Sequence, residues 1–466
     1  MQPQHQWLSK RKQNHRGVWF QMPESICQTT KFDRSEALQE RARALIPGGA
    51  HVYAKGEDQF PLHAPGFIER GQGCHVWDVD GNEFIEYGMG LRAVSLGHGY
   101  RSVAEAAHRQ ALLGLNFTRP SPIEIECAEM LAGLIPSAEM VKFSKNGSDV
   151  TTAAVKLARA YTGRDMVAVC GDQPFFSVDD WFIGSTPLSA GVPKVTQDLT
   201  VKFQYNNLAS LEDIFRQHPT RVACVILEAE TIVAPAPGFL QDLQELIRKN
   251  GAIFILDEMI TGFRWHLGGA QTYYGLSPDL STFGKAIANG FSLSALVGRR
   301  DLMERGGLSH SKERVFLLST THGAETHSLA AAIETMRIYE REYVIEYLYR
   351  QGERLRTGIN QAIKSHELEG YFAVLGKAPN LVYATRDENK NPSQPFRTLF
   401  LQETIKRGLL MPSLVLSFSH SDQDIDRTVA ATDEALGVYK KALQDGVDKY
   451  LVGRPVKPVY RRFNAE

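Results

Sequence analysis

The stretch Ile253-Phe254-Ile255-Leu256-Asp257-Glu258, running on through Met259-Ile260-Thr261-Gly262-Phe263-Arg264, carries the fold. Consecutive apolar residues suit a strand covered on both faces, as in a parallel sheet with helices packed against it. A carboxylate ending such a strand stands at the carboxyl edge of the sheet, where α/β proteins bind ligands. Taken alone, an Asp in this position more commonly caps the next turn. Downstream lie Ser277-Pro278-Asp279 and then Phe283-Gly284-Lys285. Among small and apolar neighbours the Lys285 amine is poorly solvated, which lowers its pKa and makes a neutral nucleophile accessible. An isolated lysine of this kind more commonly snorkels out to solvent.

Outward from that stretch, apolar runs recur at Met166–Cys170, Ala223–Leu227 and Ala295–Gly298, with helical stretches between them. This alternation predicts an α/β protein with a mostly parallel sheet flanked by helices. Toward the N-terminus, Asp33-Arg34-Ser35 offers N-caps for a helix reaching about Ile46, where Pro47-Gly48-Gly49 stops it. A hairpin follows, His75-Val76-Trp77 and Phe84-Ile85 flanking an Asp80-Gly81 turn. In the acidic cluster Asp78, Asp80, Asn82 and Glu83 the glycine comes too early for an EF-hand loop, so a turn is expected there. Beyond about residue 327 long helices return, the last opening on the capping box Ser421-Asp422-Gln423-Asp424. The expected organisation is an N-terminal arm (1–32), a smaller α+β domain from both chain ends (33–90 and 328–466) and a large domain (91–327).

Lys145-Asn146-Gly147-Ser148-Asp149 leads into an Ala-rich helical stretch. A Gly and a Ser at a helix N-terminus present N–H groups and a hydroxyl to a phosphate, although a plain N-cap reads the same way. Thr320-Thr321-His322-Gly323 precedes another helix, expected from about Ser328. His322 and His327 lack a helical ligand spacing and no HExxH occurs, so no metal is expected. Strand-end Asp257, poorly solvated Lys285 and an anion-binding helix start are together the needs of one cofactor, pyridoxal 5'-phosphate (PLP).

Ile46-Pro47-Gly48-Gly49, Trp77-Asp78-Val79-Asp80-Gly81-Asn82, Leu96-Gly97-His98, Leu157–Arg164 and above all Leu256–Arg264 with Pro278-Asp279-Leu280 and Gly284-Lys285 go further. In these segments the chain resembles the class III (fold type I) PLP-dependent aminotransferases, closest to the glutamate-1-semialdehyde 2,1-aminomutase branch. The resemblance implies that Lys285 is the Schiff-base lysine and general acid/base, and that Asp257 pairs with the pyridinium nitrogen. It makes Asn146, Gly147 and Ser148 the phosphate loop. Thr321 matches a threonine that reaches the phosphate of a neighbouring subunit, which implies a homodimer with shared active sites. Glu228 matches the glutamate of the family's Leu-Glu-Pro segment, near the cofactor ring. Phe175 falls at the stacking aromatic, with Phe176 the other candidate because of a small insertion near Asp172-Gln173-Pro174.

The departures concern substrate. Where the aminomutases carry Asn-Ser-Pro-Val-Arg, this chain has His51-Val52-Tyr53-Ala54-Lys55. The carboxylate-binding Ser is lost, and Lys for Arg is not a conservative swap at a bidentate site. The family's next pocket tryptophan is replaced around Leu91-Arg92, where Arg92 serves either as a substitute anion clamp or in a surface ion pair. Glu325 places an acidic group near the gate. Tyr53, Lys55, Arg92 and Glu325 therefore define the expected substrate pocket. The expected activity is ping-pong amino transfer from a donor such as glutamate to a carbonyl acceptor. An aminomutase or racemase is the alternative, and a non-catalytic PLP-binding protein a second.

The composition fits. The 466 residues carry 52 Lys and Arg against 53 Asp and Glu, a balance unlike that of a basic nucleic-acid binder. Five scattered cysteines without a CxxC pair argue against a disulfide framework and for a reducing, cytoplasmic setting. No apolar run approaches the ~20 residues that span a bilayer, so no membrane partner is expected.

Overall fold

The computed structural model describes residues 31–464, so nearly all of the expected N-terminal arm, Cys27 included, lies outside the described residues. In chain order the strands are β1 (Ile68–Gln72), β2 (His75–Asp78), β3 (Glu83–Glu86), β4 (Met140–Ser144), β5 (Met166–Cys170), β6 (Thr200–Phe203) and β7 (Val222–Leu227). They continue with β8 (Ile253–Asp257), β9 (Leu280–Phe283), β10 (Ser294–Gly298), β11 (Phe372–Leu375), β12 (Asn380–Thr385), β13 (Leu409–Leu410) and β14 (Leu414–Val415).

A seven-stranded sheet runs β4-β10-β9-β8-β7-β5-β6. Only β10 is antiparallel to its neighbours. Every residue of β5, β7, β8, β9 and β10 is buried, as expected of strands covered by helices on both faces. The helix Phe239–Lys249 shows how the covering works: Phe239, Leu240, Leu243 and Ile247 recur at helical spacing and are buried. The four strands expected from the sequence all form. β9 escapes an apolar-run reading because its centre is Ser281-Thr282, and β4 and β6 carry exposed lysines, Lys142 and Lys202.

Two smaller sheets, β1-β2-β3-β13 and β11-β12-β14, draw on both ends of the chain. The expected hairpin is β2–β3, and its acidic cluster is indeed a turn: Asp78 Oδ1 accepts from the Asp80 and Asn82 amides at 3.0 and 2.8 Å. The first helix, Asp33–Leu45, corrects one expectation. Its cap is not supplied by its own Asp33 or Ser35 but by Asp80, whose carboxylate accepts from Arg34 N at 2.8 Å and Ser35 N at 3.0 Å. The helix after the Thr320 loop starts at Thr326, slightly ahead of the expected Ser328.

The last helix, Asp422–Asp445, keeps its capping box, and Asp424 also ties the chain ends together. Its carboxylate meets His75 Nε2 at 3.0 Å and the Cys74 thiol at 3.5 Å. That hydrogen bond raises the His75 pKa, while His75 holds the partly buried Asp424 carboxyl well below the usual carboxylate range against desolvation. Cys74, Cys127, Cys170 and Cys224 are buried free thiols. No helix among the described residues is long and apolar enough to cross a membrane.

Candidate active site

β8 ends on Asp257, paired with Thr282 of β9, and Lys285 follows β9 after a single glycine. Adjacent parallel strands thus deliver carboxylate and amine to the same sheet edge. Asp257 Oδ1 accepts from Met259 N at 2.9 Å and from Thr282 Oγ1 at 3.1 Å. Among the described residues nothing donates to Oδ2. Lys285 has φ +46°, a left-handed conformation that costs a residue with a side chain about 1–3 kcal/mol and persists only where the surroundings enforce it. Here the Leu96-Gly97-His98 segment does the enforcing. Asn289 accepts from Leu96 N at 2.8 Å and donates to Gly97 O at 3.0 Å, and Ser95 Oγ donates to Ala286 O at 3.4 Å.

Burial lowers the Lys285 pKa, opposed by the charges of Asp257 and Glu228 and reinforced by Arg92 and Arg264. Burial raises Asp257, with Lys285 opposing. Glu228 is raised by burial and then by Asp257, which favours its protonated form. Its Oε2 is buried and has no hydrogen-bond partner. Gln173 clamps the Glu228 backbone, donating to its carbonyl at 2.7 Å and accepting from its amide at 2.8 Å.

The loop Lys145–Ser148 opens the helix Gly147–Thr162. Asp149 Oδ2 gathers Ser144 Oγ, Lys145 N and Asn146 N at 2.7, 3.2 and 3.0 Å, which fixes the loop. Ser148 Oγ accepts from Val178 N at 3.0 Å, leaving its own proton to donate. Met259 packs between this loop and the lysine segment. A Cβ at Gly147 would stand 3.0 Å from its sulfur and one at Gly284 2.6 Å, so both positions favour glycine. A helix start with a free hydroxyl, a half-free buried carboxylate, an orphaned acid and a desolvated amine together fit PLP.

Phe175 and Phe176 both pack edge-on against Phe182, and they differ in exposure, 42% against 2%. Arg92 joins the cluster. Its Nε donates to Asn380 Oδ1 at 2.8 Å, and its carbonyl accepts from Arg264 Nη2 at 2.8 Å. The other expected positions stand apart. Tyr53, 67% exposed, and Lys55 lie on a surface 3-10 turn (Tyr53–Lys55), and their side chains make no hydrogen bond or ion pair with the cluster among the described residues. Thr321 is exposed, its carbonyl accepting from Asn116 Nδ2 at 2.9 Å. Glu325 pairs with Lys145, beside the helix start, and with His322 at 3.0 Å. Sequence reasoning missed Gln173 and Asn380, whose partners are remote in sequence and which no local pattern marks. Arg264 was visible in the opening stretch, but its complete burial was not.

Residues 52–376 match the family model described as aminotransferase class-III. Glutamate-1-semialdehyde 2,1-aminomutase 2 of Bacillus cereus (strain ATCC 10987 / NRS 248) is 32% identical over 432 residues, 88% of this chain and 99% of that protein. Among solved structures, the PLP internal aldimine form of the Sphingopyxis sp. MTA144 FumI protein superposes with a TM-score of 0.81 at 28% identity, covering 91% of this chain and 99% of that one. An omega-transaminase from Sphaerobacter thermophilus gives 0.79 at 26% identity, covering 87% and 98%. The fold is therefore that of the fold type I PLP-dependent transferases. The chain belongs to the class III aminotransferase family.

Proposed function

We propose that this chain is a PLP-dependent aminotransferase, moving an amino group from an amino-acid donor, with glutamate the expected one, to a carbonyl acceptor. The observation that carries the reading is buried Asp257 set beside Lys285 at the carboxyl edge of adjacent parallel strands. PLP, when bound, supplies the electron sink that acidifies the substrate C–H next to nitrogen. Asp257, anchored through Oδ1, would have Oδ2 left for the ring nitrogen and would keep a proton there. The helix start at Asn146, Gly147 and Ser148 would hold the phosphate through amides and the free hydroxyl proton. Phe175 would cover the ring, and Glu228 would offer its unpartnered oxygen beside it. Lys285, its pKa lowered by burial, would take the proton from one carbon and return it to another.

The test is absorbance. Purified protein should carry the yellow band of lysine-linked cofactor, Lys285→Ala should lack it, and a suitable donor amine should bleach it. A colourless wild type that ignores added PLP would overturn the reading, and a band that no amine perturbs would favour a non-catalytic PLP-binding protein. A second reading, an aminomutase, is favoured by the names of the relatives at 32% identity. Isomerisation of glutamate-1-semialdehyde without any external donor would establish it.

The finer assignments rest on the same footing. The division into a large domain (91–327) and a smaller one (33–90 with 328–466) is supported by the parallel pairing of β13 with β3. A homodimer with shared sites is supported by exposed Thr321 and the exposed Leu112, Leu113 and Phe117 near Asn116, which bonds its loop. A cytoplasmic location is supported by the four buried, unpaired cysteines among the described residues.

A further inference from the structure

Met89, Gly90, Leu91 and Arg92 all have positive φ, at 43°, 57°, 57° and 74°. Three of these residues bear side chains, and such conformations survive only where the surroundings over-determine them. The surroundings are polar and specific. Arg264, wholly buried and ending the Asp257 segment, spends its guanidinium on main-chain carbonyls: Arg92 O at 2.8 Å, Leu416 O at 3.3 Å and Pro379 O at 3.4 Å. Asn380 fixes Arg92 Nε at 2.8 Å. Three residues on, Ser95 bonds Ala286, the immediate neighbour of Lys285. The turn therefore delivers Arg92 to the reacting lysine and holds its side chain by one edge.

What remains of that guanidinium is the pair Nη1 and Nη2. Among the described residues neither has a hydrogen-bond partner, and no carboxylate lies within ion-pair distance of Arg92. Arg92 is partly buried, and its charge acts on both Glu228 and Lys285. Two parallel N–H donors of an arginine fork match the two oxygens of a carboxylate. Lys55, which aligns with the family's carboxylate-binding arginine, is exposed on another element.

We infer that Arg92 is a specificity-determining residue that binds the carboxylate of the amino-acid substrate, with Asn380 as its positioning residue. The anion receptor has thus moved from the turn at Tyr53–Lys55 to the left-handed turn at Met89–Arg92. This rests on the aminotransferase reading and names the residue by which that site tells amino-acid substrates from simple amines.

Calorimetric titration of glutarate, a dicarboxylate with no amine, into the PLP-loaded enzyme tests the clamp without turnover. Arg92→Leu should weaken glutarate binding about 100-fold, the loss of two charge-assisted hydrogen bonds. Arg92→Lys should recover part of that affinity, and Asn380→Ala should lose less than Arg92→Leu. In donor assays Arg92→Leu should raise KM for glutamate by a larger factor than KM for 1-phenylethylamine, which has no carboxylate. Unaltered glutarate affinity in Arg92→Leu overturns the inference, as does an equal fall with both donors. Should no amine bleach the wild-type band, the aminotransferase reading fails while the glutarate titration still decides the clamp.

Discussion

Lys285 and Asp257 owe their opposed electrostatic roles to burial and to each other. Replacing Asp257 with the isosteric Asn removes the charge and keeps the shape. Asp257→Asn should retain the yellow band yet lower kcat by about 1000-fold, within the range for loss of a preorganised electrostatic partner. A kcat within a few-fold of wild type would remove Asp257 from its assigned role. A buried histidine contributes to acid stability. His420 is fully buried, its Nδ1 accepts from Ser417 N at 3.0 Å, and burial lowers its pKa from 6.5 to about 4. The unfolded chain therefore binds this proton first. Stability present above about pH 6.5 is lost as the pH falls toward about 4, and at pH 5 His420 alone accounts for about 2 kcal/mol. Urea unfolding at pH 7 and pH 5 should show this loss in wild type and a smaller one in His420→Asn. Residues of the opening stretch were legible because their chemistry is local. Asn380 was not, since it meets Arg92 across 288 positions, and Gln173 meets Glu228 across 55.

At the scale of elements, apolar runs on consecutive residues announced β5, β7, β8 and β10. β9 lacked that signal because its centre is polar: Thr282 donates to Asp257, and Ser281 accepts from Gln271 Nε2 at 3.3 Å. The helix Val344–Ser365 meets the loop before β12 at a contact no sequence pattern reveals. A Cβ at Gly352 would fall 2.0 Å from Ala378 O, and main chain cannot turn aside as a side chain can. That loop carries Lys377, Pro379 and Asn380 to the site. Gly352→Ala should therefore destabilise the protein by about 1–3 kcal/mol in chemical denaturation and raise KM for glutamate as Asn380 withdraws. A variant with wild-type stability and KM would show the contact to be yielding. The core of the large sheet should be less forgiving: Ile255→Ala, in the centre of β8, should cost about 2–5 kcal/mol.

Across the whole molecule, the sheets from the chain ends are fastened to the large sheet around the site. Buried Glu230, two residues past Glu228, accepts from Trp265 Nε1 at 2.9 Å and from the Tyr274 hydroxyl, and pairs with Lys377 at 3.1 Å. Such coupling predicts one cooperative transition that rises with ligand. PLP at 100 times its dissociation constant should add about 2.7 kcal/mol, read as a raised Tm, and Lys285→Ala should reduce the gain. Two separate transitions would argue against a shared fastening. Exposed Leu112, Leu113 and Phe117 flank Asn116, which bonds the Thr321 loop. Sedimentation should find dimers, and Leu113→Asp should shift them to monomers with lost turnover. Arg264, last, grips Arg92 by its carbonyl and never by its side chain. Any residue at position 92 that tolerates the left-handed turn presents the same carbonyl to the same clasp. Specificity and scaffold are thus separable at this point, and descendants of this chain, or an engineer, can exchange what the pocket reads while the frame that holds it is inherited unchanged.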